Sequence, residues 1–169
     1  RLILLQTGLI VNRLTVIILL LFSVQIYAQK FMGNNGEISF FSEAPMEDIS
    51  AVNKKVSAVF DASTSDLVFQ LKIIDFIFPK SLMQEHFNEN YLESDIYPKS
   101  TFLGSIVQNR NGKATVQGDL TIHGKTNRIK VDGLMIQNKK SIVISAEFAI
   151  KLEDYDIKIP TIVMYKIAE

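Results

Sequence analysis

Apolar and polar residues alternate along most of the chain after residue 29, and this period of two predicts β-strands. The clearest strand is Ala114–His123, where every second residue from Ala114 to Ile122 is apolar or glycine and the residues between them are polar. Ser141–Ile150 has a similar alternation, with Phe148 on its apolar side. One apolar and one polar face per strand is typical of an antiparallel sheet that covers a core.

Turn sequences separate the strands at regular intervals. Asn111-Gly112 predicts a two-residue hairpin, because both residue types tolerate a positive φ angle. His123-Gly124-Lys125 and Asn138-Lys139-Lys140 predict the next two turns, so that four consecutive strands form a meander. Asn34-Asn35-Gly36 and Ser63-Thr64-Ser65 predict breaks further upstream. The remaining predicted strands are Glu37–Ser42, Val56–Ala62, Asp66–Phe78, Thr101–Gln108 and Arg128–Ile136.

Two features interrupt the alternation. In Leu67–Phe78 the apolar positions shift from odd to even residue numbers near Ile73-Ile74, and Ile74 then begins the apolar face. This shift predicts a β-bulge, which bends a strand as barrel closure requires. Ser81, with Gln84 three residues later, predicts a helix that begins with a capping box. We expect this helix to lie over one end of a barrel as a lid or plug.

The first 28 residues form the most apolar part of the chain. Arg13 precedes the aliphatic run Leu14–Val24, and Ala28 has the small side chain that suits the position before a cleavage site. The pattern predicts a signal peptide over residues 1–28, with Arg1–Val11 as an upstream extension, and one domain over residues 29–169. The alternative is an uncleaved membrane anchor. A cleaved leader implies a periplasmic or secreted protein.

Composition narrows the class further. The chain has no cysteine, which excludes disulfides, thiolate metal sites and a cysteine nucleophile. Its 18 basic and 18 acidic side chains balance, and removal of Arg1 and Arg13 with the leader leaves 16 against 18, a net charge of −2. Basic residues do not cluster beyond two lysine pairs, so we expect no nucleic-acid partner.

Residues with catalytic or metal-binding chemistry are sparse. The only histidines, His86 and His123, do not form an HxH or HxxxH pair, and we expect His123 to end a strand on its polar face. The acidic cluster Glu153, Asp154 and Asp156 is interpreted as a solvated loop rather than a pair of catalytic carboxylates. No Gly-x-Ser-x-Gly motif is present. We therefore predict no enzyme, no metal site and no cofactor.

Apolar side chains on the predicted inner face are the positive signal. They predict either an apolar pocket or simply the core of a filled barrel, since about eight strands permit both. A filled barrel would act as a structural or interaction module instead of a carrier. The candidate pocket residues are Phe40, Phe60, Phe69, Leu71, Ile73, Phe76, Phe78, Phe102 and Phe148, together with Leu82 and Met83 of the helix.

Two stretches resemble motifs of the YceI-like proteins. Residues 83–102 are similar to an "HF…YP…F" segment of that family, and residues 118–126 are similar to its "G-x-L-T-I-H-G-x-T" hairpin. The resemblance implies an all-β, antiparallel, eight-stranded lipocalin-like barrel with one short helix, in which the last strand is either present or missing after residues 159–163. It implies exported, non-catalytic binding of a polyisoprenoid or other lipid, with peripheral membrane contact as a further partner. The motif residues expected to shape the pocket are Phe87, Tyr97, Phe102, Leu120 and Ile122.

Overall fold

A computed structural model describes residues 29–42, 48–138 and 140–158 of the 169. Within these residues, seven antiparallel strands form one sheet in sequential order, and the sheet curls into a nearly closed barrel. The predicted leader and residues 159–169 lie outside the described residues. The strands are β1 (Lys30–Ser42), β2 (Ile49–Asp61), β3 (Asp66–Lys72), β4 (Lys99–Arg110), β5 (Lys113–Ile122), β6 (Lys125–Gln137) and β7 (Ile142–Ala146).

The predicted hairpins of the meander are confirmed. Asn111 and Gly112 have φ angles of +54° and +79°, and His123 and Gly124 have φ angles of +50° and +72°. Two successive positive φ angles define the tight turn that matches the twist of the flanking strands. At the third turn, Asn138 accepts hydrogen bonds at its Oδ1 from the backbone amides of residues 140 and 141, at 2.9 and 2.8 Å.

The β-bulge predicted near Ile73-Ile74 is wrong, although the position of the irregularity is right. β3 ends at Lys72, and Ile73–Asp75 forms a single 3₁₀ turn that is held by a 3.0 Å hydrogen bond from the Ile73 amide to the Pro98 carbonyl. The turn changes which residues face inward without adding a residue to a strand pair. Ile73 is buried, whereas Ile74, expected to face inward, is 57% exposed.

Three other strands differ from the prediction by more than three residues at one end. β2 begins at Ile49, seven residues before the predicted start at Val56. Asn34-Asn35-Gly36 does not break the chain, because β1 continues through it with register shifts on either side of Gly36. The predicted strand Ser141–Ile150 is shorter, since β7 ends at Ala146 and the residues after it are exposed. Alternation of residue types alone does not show where hydrogen bonding to the neighbouring strand ends.

The helix is present but begins differently. α1 spans Ser81–His86 and continues as a π-helical turn, Phe87–Tyr91. The capping box is wrong: Ser81 is the first helical residue and makes no capping bond, while the Gln84 Oε1 accepts a 3.2 Å hydrogen bond from the Phe78 amide. No helix in the described part of the chain has the length and apolar character needed to cross a bilayer.

The two ends of the barrel differ. At one end, called the helix end, α1 and the π-helical turn lie in the connection between β3 and β4, and the β5–β6 turn is at the same end. At the other end, called the mouth, lie the β2–β3 turn at residues 62–65, the β4–β5 turn and the β6–β7 turn. One continuous cluster of buried apolar residues extends through the interior from Phe87 at the helix end to Phe60 and Met135 near the mouth.

Candidate ligand-binding interior

Phenylalanine rings fill the helix end of the barrel. Phe40 of β1 lies 5.5 Å from Phe76, 5.9 Å from Phe78 and 5.6 Å from Phe87 between ring centroids, and Phe78 and Phe87 are 4.8 Å apart. These four residues are called the phenyl cluster. The 3₁₀ turn before Phe76 positions two of its rings, and the helix supplies Phe87. Edge-to-face and offset contacts of this kind add stability beyond simple burial.

A second aromatic pair lies on β3 and β4. Phe69 stacks on Phe102 with ring centroids 4.9 Å apart and an interplanar angle of 22°. The tip of the Phe102 ring lies over two facing glycines, Gly104 and Gly118: a Cβ atom built on either would come within 2.7 Å of the Phe102 Cζ. Because glycine has no side chain, these two positions leave the space that the Phe102 ring occupies.

Other inward side chains of the barrel are less completely buried than the phenyl cluster. Ile38 of β1, Val116 of β5, Ile129 of β6 and Ile142 and Ile144 of β7 pack against the core but remain partly exposed. These five residues are called the half-buried strip. Burial of apolar area is the main favourable term in folding, so a strip that folding leaves partly exposed gains free energy from any further apolar cover.

The structure has a cavity at the mouth and a groove beside the helix. The mouth cavity has a volume of about 290 Å³ and is lined by Phe60, Ala62, Ser65, Ile106, Val107, Gln108, Asn109, Met135 and Gln137. Its inner wall is apolar and its rim carries amides. The helix groove has a volume of about 480 Å³ and runs between α1 and the segment before it, lined by Ile74, Phe78, Pro79, Ser81, Gln84, Glu85, Asn88 and Glu89.

The core carries polar groups but no charge. In the described parts of the chain, the buried polar residues are Asn53, Asn88, Ser94 and Thr115, all of them uncharged. Asn53 donates to the Lys72 carbonyl at 2.9 Å and accepts from the Lys55 amide at 2.9 Å. A core without charges offers nothing to neutralise a buried anion or cation, so it favours a neutral, apolar occupant.

A match to a family model shows to which family the chain belongs. A family model described as "YceI-like domain" matches residues 22–169. The chain belongs to the YceI-like family. No curated protein matches it.

Solved structures share the fold of this YceI-like chain at low sequence identity. A polyisoprenoid-binding domain from Saccharophagus degradans, described as implicated in plant cell wall breakdown, has a TM-score of 0.67 at 11% identity, covering 83% of this chain and 88% of that chain. BcnA of Burkholderia cenocepacia has a TM-score of 0.51 at 14% identity, covering 81% and 77%. The YceI protein of Campylobacter jejuni has a TM-score of 0.51 at 18% identity, covering 75% and 71%.

The YceI-like barrel places most of the candidate pocket residues in its interior. Phe60, Leu71, Ile73, Phe76, Phe78, Met83, Phe87, Phe102 and Leu120 are buried, while Phe40, Phe69 and Ile122 are partly buried against the core. Tyr97 lies at the barrel wall, where its ring packs edge-on against His123 at 4.5 Å. Leu82 and Phe148 are corrections: they are 45% and 49% exposed, because Leu82 is on the outer side of α1 and Phe148 follows the end of β7.

His123 and Asp156 connect loops through their side chains. The side chain of His123, expected on a polar strand face, is only 10% exposed in the turn, where its Nε2 lies 2.8 Å from a carboxylate oxygen of Glu93 and its Nδ1 lies 3.1 Å from the Tyr155 carbonyl. Asp156 forms a 2.7 Å ion pair with Lys125. The described residues contain no group of three His, Cys, Asp or Glu side chains that could hold a metal ion.

Two buried polar residues of the π-helical turn are not among the site residues predicted from the sequence. Asn88 and Tyr91 are 8% and 5% exposed, and neither the Asn88 Oδ1 nor the Tyr91 hydroxyl has a hydrogen-bond partner among the described residues. Burial raises the pKa of the Tyr91 hydroxyl above its usual value. Helical spacing from Met83 and Phe87 places Tyr91 on the buried side of the helix, but spacing does not reveal whether its hydroxyl has a hydrogen-bond partner.

Proposed function

We propose that this YceI-like protein binds a long, neutral, apolar ligand of the polyisoprenoid or a related lipid class inside its barrel, as a carrier and without catalysis. The observation that carries the proposal is the half-buried strip, which adds partly exposed inward apolar side chains of β1, β5, β6 and β7 to an uncharged apolar core. The ligand class is supported by the family and by the Saccharophagus degradans neighbour, which is a polyisoprenoid-binding domain.

The energetics of such binding need few polar contacts. Each buried methylene group contributes about 0.8 kcal/mol, so four of them supply about 3 kcal/mol. The mouth cavity, at about 290 Å³, is comparable with the smallest ligand pockets, which begin at about 300 Å³. A ligand too long for the mouth cavity would extend from the mouth over the half-buried strip and end against the phenyl cluster.

Adjacent residues of β7 provide a matched test. Ile144 faces the core and is partly buried, whereas Val143 faces outward and is 60% exposed. We expect Ile144→Asp to lower lipid loading at least tenfold, because an unpaired carboxylate on the inner face opposes an apolar ligand, while Val143→Asp should load as the wild type does. Loading is measured by mass spectrometry of organic extracts from natively purified protein, and circular dichroism checks the fold.

Two results would count against the proposal. The first is well-folded wild-type protein that yields extracts free of lipid and takes up no added isoprenoid. The second is equal loading of both aspartate variants, which would place the ligand outside the barrel.

Export is the second part of the proposal. The predicted leader, with its aliphatic run Leu14–Val24 ahead of Ala28, supports work in the periplasm or outside the cell. An apolar ligand is poorly soluble in those aqueous spaces, so a carrier has a role there. Cell fractionation followed by mass spectrometry of the mature N-terminus tests this, and protein that keeps residues 1–28 in the cytoplasmic fraction would contradict it.

An interaction module is the second candidate function, and an outward row of apolar residues favours it. Met32, Val59, Val68 and Leu103 face one another directly across β1 to β4 and are 81%, 36%, 36% and 56% exposed. The adjacent outward row on β2 to β4 is polar. If this row is the functional surface of a filled barrel, Val68→Lys abolishes association with a partner while circular dichroism shows an unchanged fold, and sedimentation with the purified partner measures the association.

A further inference from the structure

The π-helical turn carries two polar atoms that the protein itself leaves unpaired. The Asn88 Oδ1 and the Tyr91 hydroxyl are buried, and no described residue hydrogen-bonds to either. The other half of the Asn88 amide is satisfied, since its Nδ2 donates to the Gln84 carbonyl at 2.9 Å. A buried acceptor or donor without a partner keeps the full cost of its desolvation, so each such group requires a specific explanation.

The hydroxyl is not needed for packing. Four positions in the same end of the barrel carry phenylalanine, and one of them, Phe87, lies four residues before Tyr91 on the buried side of the helix. The other buried tyrosine of the described chain, Tyr155, differs, because its hydroxyl is not among the buried atoms left unpaired and the Asn127 side chain lowers its pKa against the effect of burial. Of the two buried tyrosines, only Tyr91 has a buried hydroxyl without a partner among the described residues.

The backbone fixes both groups in place. The Leu92 amide donates to the Phe87 carbonyl at 2.9 Å, which is the bond that defines the π-helical turn, and the Ser94 amide donates to the Asn88 carbonyl at 2.7 Å. A single π-helical turn is uncommon and often occurs at functional sites. Here it closes the barrel end beside the phenyl cluster.

We propose that Asn88 and Tyr91 form a polar anchor for the end group of the ligand, an inference that rests on the proposed function. The Asn88 Oδ1 only accepts, so the end group must donate a hydrogen bond, while the Tyr91 hydroxyl can donate or accept. A hydroxyl group meets both requirements. The buried part of the described chain has no charge to pair with a carboxylate or a phosphate, so the ligand is a long-chain alcohol whose hydroxyl reaches the π-helical turn beside the phenyl cluster.

Geranylgeraniol and its methyl ether provide the test, because they share the same hydrocarbon and the ether cannot donate. We expect the wild-type protein to bind the alcohol about threefold to tenfold more tightly than the ether, in displacement titrations of a fluorescent lipid. Asn88→Leu should remove most of this preference while the affinity for the ether stays constant, because only the alcohol can donate to the Asn88 Oδ1. Tyr91→Phe should weaken the binding of both compounds about threefold to tenfold, because the Tyr91 hydroxyl donates to the oxygen of either. Tyr155→Phe is the matched control and should keep the preference.

The outcomes separate this anchor from the proposed function. Equal binding of alcohol and ether by the wild type leaves apolar binding intact and overturns the anchor, with a fixed water as the partner of the two atoms. Unchanged affinity for both compounds in Tyr91→Phe, or an unchanged preference for the alcohol in Asn88→Leu, also overturns it. If neither compound binds the wild type and extracts contain no lipid, the proposed function fails and the anchor fails with it.

Discussion

The contact between Phe102 and the facing pair Gly104 and Gly118 makes a sharp prediction about stability. A Cβ atom on Gly118 would lie 2.5 Å from the Gly104 Cα, 2.5 Å from the Leu103 carbonyl oxygen and 2.7 Å from the Phe102 Cζ. Two of these atoms belong to the backbone and cannot rotate away. Gly118→Ala must therefore push β4 away from β5 or displace the Phe102 ring, which is 2% exposed. Overpacking costs about 1–3 kcal/mol and lost aromatic burial a similar amount, so we expect about 2–4 kcal/mol.

Gly33→Ala is the matched control, because it is the same chemical change in a strand of the same sheet. The nearest atom to its added Cβ is the Asn35 Oδ1 at 3.6 Å, which is ordinary contact, so we expect a change within about 0.5 kcal/mol. Urea unfolding followed by circular dichroism gives both free energies of unfolding. Equal stability of Gly118→Ala and the wild type, within 0.5 kcal/mol as for a neutral surface change, would refute the ring-over-glycine packing.

Three further predictions concern other parts of the fold. Asn53→Leu removes the side-chain partner of two part-buried backbone groups and should cost about 1–3 kcal/mol in the same unfolding assay. The ion pair with Lys125 lowers the pKa of Asp156, so its stabilisation is present above the usual carboxyl pKa and lost as pH falls through the lowered value. Asp156→Asn should therefore be less stable than the wild type at neutral pH and equal to it in acid; a constant difference would contradict this. Burial raises the pKa values of Tyr91 and Tyr155, so the stability of the protein should fall as pH rises through those values. In an alkaline titration, the tyrosinate absorbance of these two residues should therefore increase only as the protein unfolds.

Much of the barrel was predictable because its signals are local. A glycine after an asparagine or a histidine identified the two tight turns, and alternation identified the inner residues of β5. The 3₁₀ turn at Ile73–Asp75 was not predictable in kind, because the shift in alternation is compatible with either a bulge or a turn. What decides between them is the bond from Ile73 to Pro98, and these residues are 25 positions apart.

The candidate site divides in the same way. Inward phenylalanines follow from period two, and most are buried as predicted, although their role in ligand binding stays a prediction. Leu82 was misplaced because adjacent residues on a short helix point in different directions. The unpaired atoms of Asn88 and Tyr91 could not be found, since hydrogen-bond satisfaction depends on every neighbour in three dimensions rather than on residue type.

The sequential order of the strands has a consequence for how the chain reaches this structure. Every strand of the described sheet pairs only with strands that precede or follow it directly, so most pairings join residues that are close in the chain. Pairings of this kind lose little entropy when their loops close, and folding rate rises as the average separation of contacting residues falls. The two tight turns flanking β5 can form early and extend outward strand by strand. The slow step should then be the connection of 26 residues between β3 and β4, which must bring in the helix before Phe102 meets Phe69.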